Sequence, residues 1–212
     1  MAKRALLAGA TGLVGRELAE QLSASSEYDA VHVLVRRPVP ALESMPKLVM
    51  HVVSFDQLSS LPAVDDVFIA LGTTIKVAGS EEAFRRVDYD YVVAVARAAR
   101  ARRLGIVSAL GADAKARVFY NRVKGEMQLA VAELGYESVI IAQPSLLMGD
   151  REALGQPVRS GEVWGRRLAE PLSALIPKSV RPVRASAVAT ALLRGVLGAA
   201  PGVSFVANGA MH

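Results

Sequence analysis

The segment Gly9-Ala-Thr-Gly12-Leu-Val-Gly15 most constrains the fold. Its three glycines follow the short apolar run Arg4–Ala8 and open the stretch Leu13–Leu22, where Leu18 and Leu22 fall at helical spacing. A strand that feeds a glycine-rich turn into a helix is the opening unit of a doubly wound sheet. There the glycines let backbone approach a pyrophosphate, whose charge sits at the helix N-terminus. The spacing is G-x-x-G-x-x-G rather than G-x-G-x-x-G, so the strand–turn–helix context carries the argument.

The rest of the chain repeats the alternation. Val31–Val35, Val49–Val53, Val67–Leu71, Gly105–Ala109, Ser138–Ala142 and Val203–Ala207 read as strands. Most are apolar throughout, the pattern of strands covered on both faces. Helices are expected over Asn121–Leu134 and Ser186–Leu197, and over one long stretch from Ser80 to about Arg103. Ser80 has the N-cap residue type, with Glu81 and Glu82 in the first turn, and Phe84, Val87, Tyr91, Val92 and Val95 form the apolar stripe. The expected fold is α/β: a mainly parallel Rossmann sheet with helices on both sides. The 212 residues, 52% of them hydrophobic, suffice for one domain. Pro157, Gly161, Pro171, Pro177 and Pro182 change the texture over 149–182, read as a small cap on the C-terminal edge of the sheet.

Composition narrows the partners. The chain has no cysteine, and His32, His51 and His212 lack metal-ligand spacing, so no metal is expected. A net charge of +5 is spread along the chain. Arg97, Arg100, Arg102 and Arg103 crowd the end of the long predicted helix, where they complement its dipole rather than form a nucleic-acid patch. No run of about 18 uncharged apolar residues exists, so no membrane span is expected. The apolar N-terminus reads as the first strand rather than a targeting segment, and the expected location is cytoplasmic.

Cofactor choice is expected at the end of the second strand. A carboxylate there would favour the 2′-hydroxyl of NAD, but the chain has Arg36-Arg37. Guanidinium forks match phosphate oxygens, so these arginines are expected to hold the 2′-phosphate of NADP. Asp56, after the third strand, is a candidate adenine contact. Leu71, Gly72 and Thr73, after the fourth, should line the cofactor together with Gly9, Thr11, Gly12, Leu13, Val14 and Gly15.

Tyr120 and Lys124 are i,i+4 neighbours on a helix and follow Ser108, which ends the fifth strand. An isolated tyrosine is only about 0.1% ionised at pH 7, and lowering its pKa by about three units takes roughly 4 kcal/mol. A nearby ammonium favours the phenolate, which would make Tyr120 an acid/base near neutrality. Lys124 is also suited to donate to the nicotinamide ribose. Ser108 is placed to hold a substrate carbonyl.

In this order, Gly9–Gly15, Ser108 and Tyr120-Asn-Arg-Val-Lys124 resemble the short-chain dehydrogenase/reductase superfamily. Leu71-Gly72-Thr-Thr, Arg86-Val-Asp88-Tyr-Asp-Tyr-Val, Val123-Lys124-Gly-Glu and Gly149-Asp-Arg151 are similar to the Tat-interacting oxidoreductase family of its atypical members. The resemblance implies NADP(H) binding, with Tyr120 as proton donor and acceptor and Lys124 as its partner. It puts Pro144-Ser145 near the nicotinamide, with Leu147 close by. Asp88 stands where the superfamily often has a relay asparagine, and Gln143 where many relatives have arginine. Arg151 opens the cap as a candidate contact for cofactor or an anionic substrate, or as a surface partner of Glu152; Trp164 is read as core packing first and as a pocket wall second. The expected function is NADP(H)-dependent hydride transfer to or from a small carbonyl or alcohol, in a monomer or homodimer. Two alternatives stand beside it: a redox-sensing or interaction module that binds NADP(H) without turnover, and an isomerase like the nucleotide-sugar epimerases.

Overall fold

The computed structural model describes residues 3–58, 60–149 and 176–212. The first half runs β1 (Lys3–Ala8), α1 (Leu13–Ala24), β2 (Tyr28–Val35), α2 (Pro40–Glu43), β3 (Leu48–Val52), β4 (Asp66–Ile69), α3 (Ile75–Ala78) and α4 (Glu81–Arg85). A π-helical turn, Arg86–Asp90, leads into α5 (Tyr91–Ala98). Then come β5 (Arg103–Val107), α6 (Phe119–Ala132), β6 (Ser138–Gln143), β7 (Leu147–Met148), β8 (Val183–Arg184), α7 (Ala185–Leu197) and β9 (Gly202–Ala207).

Seven strands form one parallel sheet in the order β3-β2-β1-β4-β5-β6-β9. Alternate residues of the inner strands β1, β2, β4, β5 and β6 feed two cores. Ala5, Leu7, Val31, Val33 and Ile140 pack with Leu18 and Leu22 of α1 and Val188 and Leu192 of α7. Leu6, Ala8, Val67, Ile106 and Ile141 pack with Val92 and Val95 of α5 and Met127 and Val131 of α6. Burial on both faces explains why these strands read as unbroken apolar runs. The chain winds outward from β1 to β3, then crosses to β4 and winds the other way. The reversal opens a crevice at the C-terminal ends of β1 and β4, where ligands bind in folds of this class.

The long helix expected from Ser80 to Arg103 is interrupted and shorter. Ser80 does cap α4, its Oγ accepting from Ala83 N–H at 3.0 Å. The π-helical turn follows, and α5 stops at Ala98. There the Tyr136 hydroxyl donates to the carbonyls of Ala96 (2.6 Å) and Ala99 (3.1 Å), satisfying groups that a helix end leaves open. Arg103 therefore begins β5 instead of ending a helix. Its guanidinium grips Asp66, Nε to Oδ1 at 2.6 Å and Nη2 to Oδ2 at 2.7 Å. Tyr28 donates its hydroxyl to the same carboxylate at 2.7 Å, deep under the N-terminal edge of the sheet. Burial, then the hydrogen bond to Asp66, push the Tyr28 phenol above its ordinary range.

His32 and His51, far apart in sequence, meet across β2 and β3, with Nδ1 and Nε2 2.9 Å apart. Desolvation, then the neighbouring His51, lowers the His32 pKa below its usual value. No group of three or more metal-ligating side chains occurs among the described residues. Nor is any helix among them long and apolar enough to cross a membrane. The region read as a cap, 149–182, lies mostly outside the described residues, as do Arg151 and Trp164. Its flanks are described: β7 and β8 pair in parallel, Leu147 with Val183 and Met148 with Arg184.

Candidate active site

The crevice floor is the turn between β1 and α1. Gly9 has φ +96°, a conformation that favours glycine, and a Cβ there would lie 2.5 Å from the Ala70 carbonyl carbon. A Cβ on Gly15 would lie 1.9 Å from the Gly9 oxygen. The turn is thus pressed against both the end of β4 and the first turn of α1. Gly12 N–H donates to the Gly9 carbonyl at 2.9 Å, and Gly12 then caps α1 without a side-chain hydrogen bond. The first turn of α1 carries no acidic residue. A positive helix end with backbone amides and no carboxylate suits a pyrophosphate, so the turn fits a dinucleotide. Thr11, Leu13 and Val14 belong to this turn and to the start of the helix. Gly149 reaches the same place: a Cβ there would sit 2.8 Å from Leu13 Cδ2. The chain leaving Leu147 and β7 thus crosses over the start of α1.

On the β2–β3 side, Arg36 and Arg37 follow β2 and are exposed. Asp56 is exposed and accepts from the Tyr91 hydroxyl at 2.9 Å, while the Tyr91 ring stacks on Phe55 at 5.5 Å. Desolvation and the Asp56 hydrogen bond raise the Tyr91 phenol above its ordinary pKa, and the charge of Arg36 opposes the rise. Asp56 and Tyr91 are thus tied together on this side of the sheet.

The other end is organised by α6. Tyr120, Lys124 and Gln128 recur every four residues along one stripe. Tyr120 is half-buried, its ring 5.2 Å from that of Phe84. Lys124 is buried, its Nζ 2.8 Å from Oδ1 of Asp88, which comes from the π-helical turn. The other oxygen of Asp88 accepts from Thr73 N–H at 2.8 Å. A Cβ on Gly72 would sit 3.3 Å from Asp88 Oδ1 and 3.7 Å from Lys124 Nζ. The loop after β4 therefore lies directly over this ion pair.

Ser108 follows β5 and is also buried. Its N–H donates to the Ala142 carbonyl and Leu110 N–H to the Pro144 carbonyl, both at 2.8 Å, extending the strand pairing into the loop. That loop then lies on α6. At Gly125, next to Lys124, a Cβ would come 2.1 Å from the Asp113 carbonyl carbon and Ala114 nitrogen. Gln128 Nε2 donates to Ser108 Oγ at 2.6 Å, and Gln143 Nε2 reaches Gln128 Oε1 at 3.4 Å. With its oxygen engaged as an acceptor, the Ser108 hydroxyl proton is left to point elsewhere. Gln128 is not among the residues expected from sequence, and Phe84 is expected there only as part of an apolar helix stripe. The i,i+4 continuation from Lys124 to Gln128 was the available signal.

Beyond Pro144, Ser145 N–H donates to Asn208 Oδ1 at 2.8 Å, and Asn208 Nδ2 donates to the carbonyls of Lys178 and Arg181. This buried asparagine ties the strand-end segment to the far flank of the cap region.

The sheet, its crossover crevice and its glycine turn define a doubly wound Rossmann fold with a dinucleotide turn. The chain belongs to the NAD(P)H-binding family, whose model matches residues 9–146. It is 38% identical over 152 residues to "Protein FMP52, mitochondrial" of Eremothecium gossypii, covering 70% of this chain and 68% of that one. It is 37% identical over 163 residues to the protein of the same name from Emericella nidulans, covering 72% and 70%. Among solved structures, it resembles an oxidoreductase of the short-chain dehydrogenase/reductase family from Burkholderia thailandensis. The TM-score is 0.66 at 16% identity, over 100% of this chain and 93% of that one. It also resembles the Bordetella bronchiseptica enzyme WbmF in complex with NAD+ and UDP, with a TM-score of 0.68 at 16% identity over 97% and 72%. The expectation of a cytoplasmic location is overturned: the FMP52 relatives are named as mitochondrial proteins.

The glycine turn yields a direct test. Gly15→Ala should cost about 1–3 kcal/mol of stability and weaken NAD(P)H binding at least about tenfold, because the Gly9 carbonyl has to move. Urea unfolding and a cofactor titration check both parts.

Proposed function

We propose that this protein is an NADP(H)-dependent oxidoreductase acting on a small carbonyl or alcohol. The observation that carries this reading is Lys124: a buried ammonium held under Gly72 at the crevice, one turn beyond Tyr120 on the same helical stripe. When bound, the nicotinamide supplies or accepts the hydride. The chain's own groups handle the proton and the positioning. Tyr120 gives its phenolic proton to the substrate oxygen in reduction and takes it back in oxidation. Lys124 holds the nicotinamide ribose. Ser108, its oxygen engaged by Gln128, turns its hydroxyl proton toward the substrate oxygen. Leu71, Gly72, Thr73, Pro144 and Leu147 line this half of the crevice. Arg151, outside the described residues, is kept as a candidate contact for cofactor or an anionic substrate.

At the other end, Arg36 and Arg37 hold the 2′-phosphate and Asp56 faces adenine. The exposed arginine pair after β2 supports the choice of NADP over NAD. Replacing both arginines with alanine should weaken NADPH binding about tenfold to a hundredfold and leave NADH within about twofold, since lost charged hydrogen bonds cost roughly 1.5–3 kcal/mol. Equal losses for the two cofactors would refute the assignment. A panel of small aldehydes and ketones, followed by loss of NADPH absorbance, tests turnover itself. Consumption of NADPH with any member supports a reductase. Tight binding without consumption across a broad panel favours the sensing module.

A further inference from the structure

The ion pair between Asp88 and Lys124 joins two elements that the proposed chemistry does not otherwise connect. α6 carries Tyr120 and Lys124, while Asp88 sits in the π-helical turn between α4 and α5. Two ion pairs of opposite sense tie these elements together. At the turn's edge Arg85 pairs with Glu126, both partly exposed. Inside, Asp88 pairs with Lys124, with the carboxylate side chain fully buried and the lysine side chain 4% exposed. The buried pair has a further contact that the outer one lacks: Asp88 also accepts the N–H of Thr73, in the loop that covers the crevice after β4. The wider turn of a π-helix lets the fourth-turn register slip locally, and such turns recur at functional sites.

Resting on the proposed cofactor site, we infer that Asp88 is a positioning residue that holds the Lys124 ammonium under Gly72–Thr73 for the nicotinamide half of the cofactor. A lysine on a flexible four-carbon stem loses rotamer freedom on meeting a ligand; one already held by a carboxylate does not. The effect falls on one end of the cofactor. Lys124 lies at the end of β4, on the β4-β5-β6 half of the sheet, whereas Arg36 and Asp56 lie on the β3-β2-β1 half. The carboxylate also balances the ammonium, so the pair enters the crevice floor as a neutral unit.

The test compares whole cofactor with its adenosine half. Titrate wild-type protein, Asp88→Asn and Glu126→Gln with NADPH and with 2′,5′-ADP, or with NADH and ADP if NADH binds more tightly. Asp88→Asn keeps the side-chain shape and removes only the charge. It should bind the reduced cofactor about tenfold more weakly and the adenosine half within about twofold of wild type. Glu126→Gln, which loosens the same two elements, should leave both unchanged. If Asp88→Asn does not fold, Asp88→Glu moves the carboxylate by one methylene and should give the same selective loss. Unchanged affinity for reduced cofactor in a folded Asp88 variant overturns the inference. So does an equal loss for both ligands, or the same loss in Glu126→Gln, since each of these marks a purely structural tie. Wild-type protein that binds neither ligand instead refutes the cofactor site itself.

Discussion

Replacing Tyr120 with phenylalanine should lower carbonyl turnover by about 100- to 10,000-fold while leaving NADPH affinity within about twofold. The substitution removes one oxygen. The ring that packs against Phe84 is retained, and neither the glycine turn nor the Asp88–Lys124 pair changes. The loss should appear in kcat, because the proton moves only as the carbonyl carbon takes hydride. Steady-state kinetics with any substrate from the panel, alongside a fluorescence titration, separates the two quantities. A variant with unaltered kcat would remove Tyr120 from the chemistry. A variant that loses turnover and cofactor binding together would assign the hydroxyl to binding.

The second large effect lies at the opposite edge of the sheet and concerns stability alone. Asp66→Ala strands the Arg103 guanidinium and the buried Tyr28 hydroxyl together. Removing one partner of a buried ion pair costs about 3–5 kcal/mol. For a chain of this size that lowers Tm by about 6–20 °C. Cofactor affinity of the folded fraction should not change, because Asp66 opens β4 whereas the crevice lies beyond the strand's other end. Thermal unfolding followed by circular dichroism checks the first part and cofactor titration the second. A change in Tm below about 2 °C would mean that water readily replaces the carboxylate.

Local chemistry made much of this architecture legible. The glycine turn, the Ser80 cap and the apolar strands are each determined by residues within a few positions, and each lies where the pattern put it. Legibility ended where a distant residue decides the outcome. Nothing near Ala98 announces the end of α5; the Tyr136 hydroxyl, contributed from just before β6, does so. Arg103 looked like a helix-end cation because its partner, Asp66, lies on a strand far earlier in the chain. The histidines lack ligand spacing in sequence, yet strand register brings two of them into contact.

The candidate site divides in the same way. Tyr120 and Lys124 follow from helical periodicity, and Gly72 from its place after a strand. That Lys124 meets Asp88 directly, or that Gln128 engages Ser108, depends on how α6 docks against the π-helical turn and the loop after β5. Gly125 permits that docking, and its requirement for a bare backbone shows only once Asp113 and Ala114 are seen against it. Location was not legible at all. The apolar residues at the N-terminus serve a strand, and kinship with mitochondrial proteins, not hydropathy, corrected the expectation.

The central claim is a dinucleotide site selective for NADP(H). The most direct measurement is calorimetric titration of the purified wild-type protein with NADPH and, separately, with NADH. The arrangement of Gly9, Gly15, Arg36, Arg37 and Lys124 predicts one site per chain, with NADPH bound at least about tenfold more tightly than NADH. Heat-silent titrations with both, confirmed by unchanged thermal stability at saturating cofactor, would contradict it.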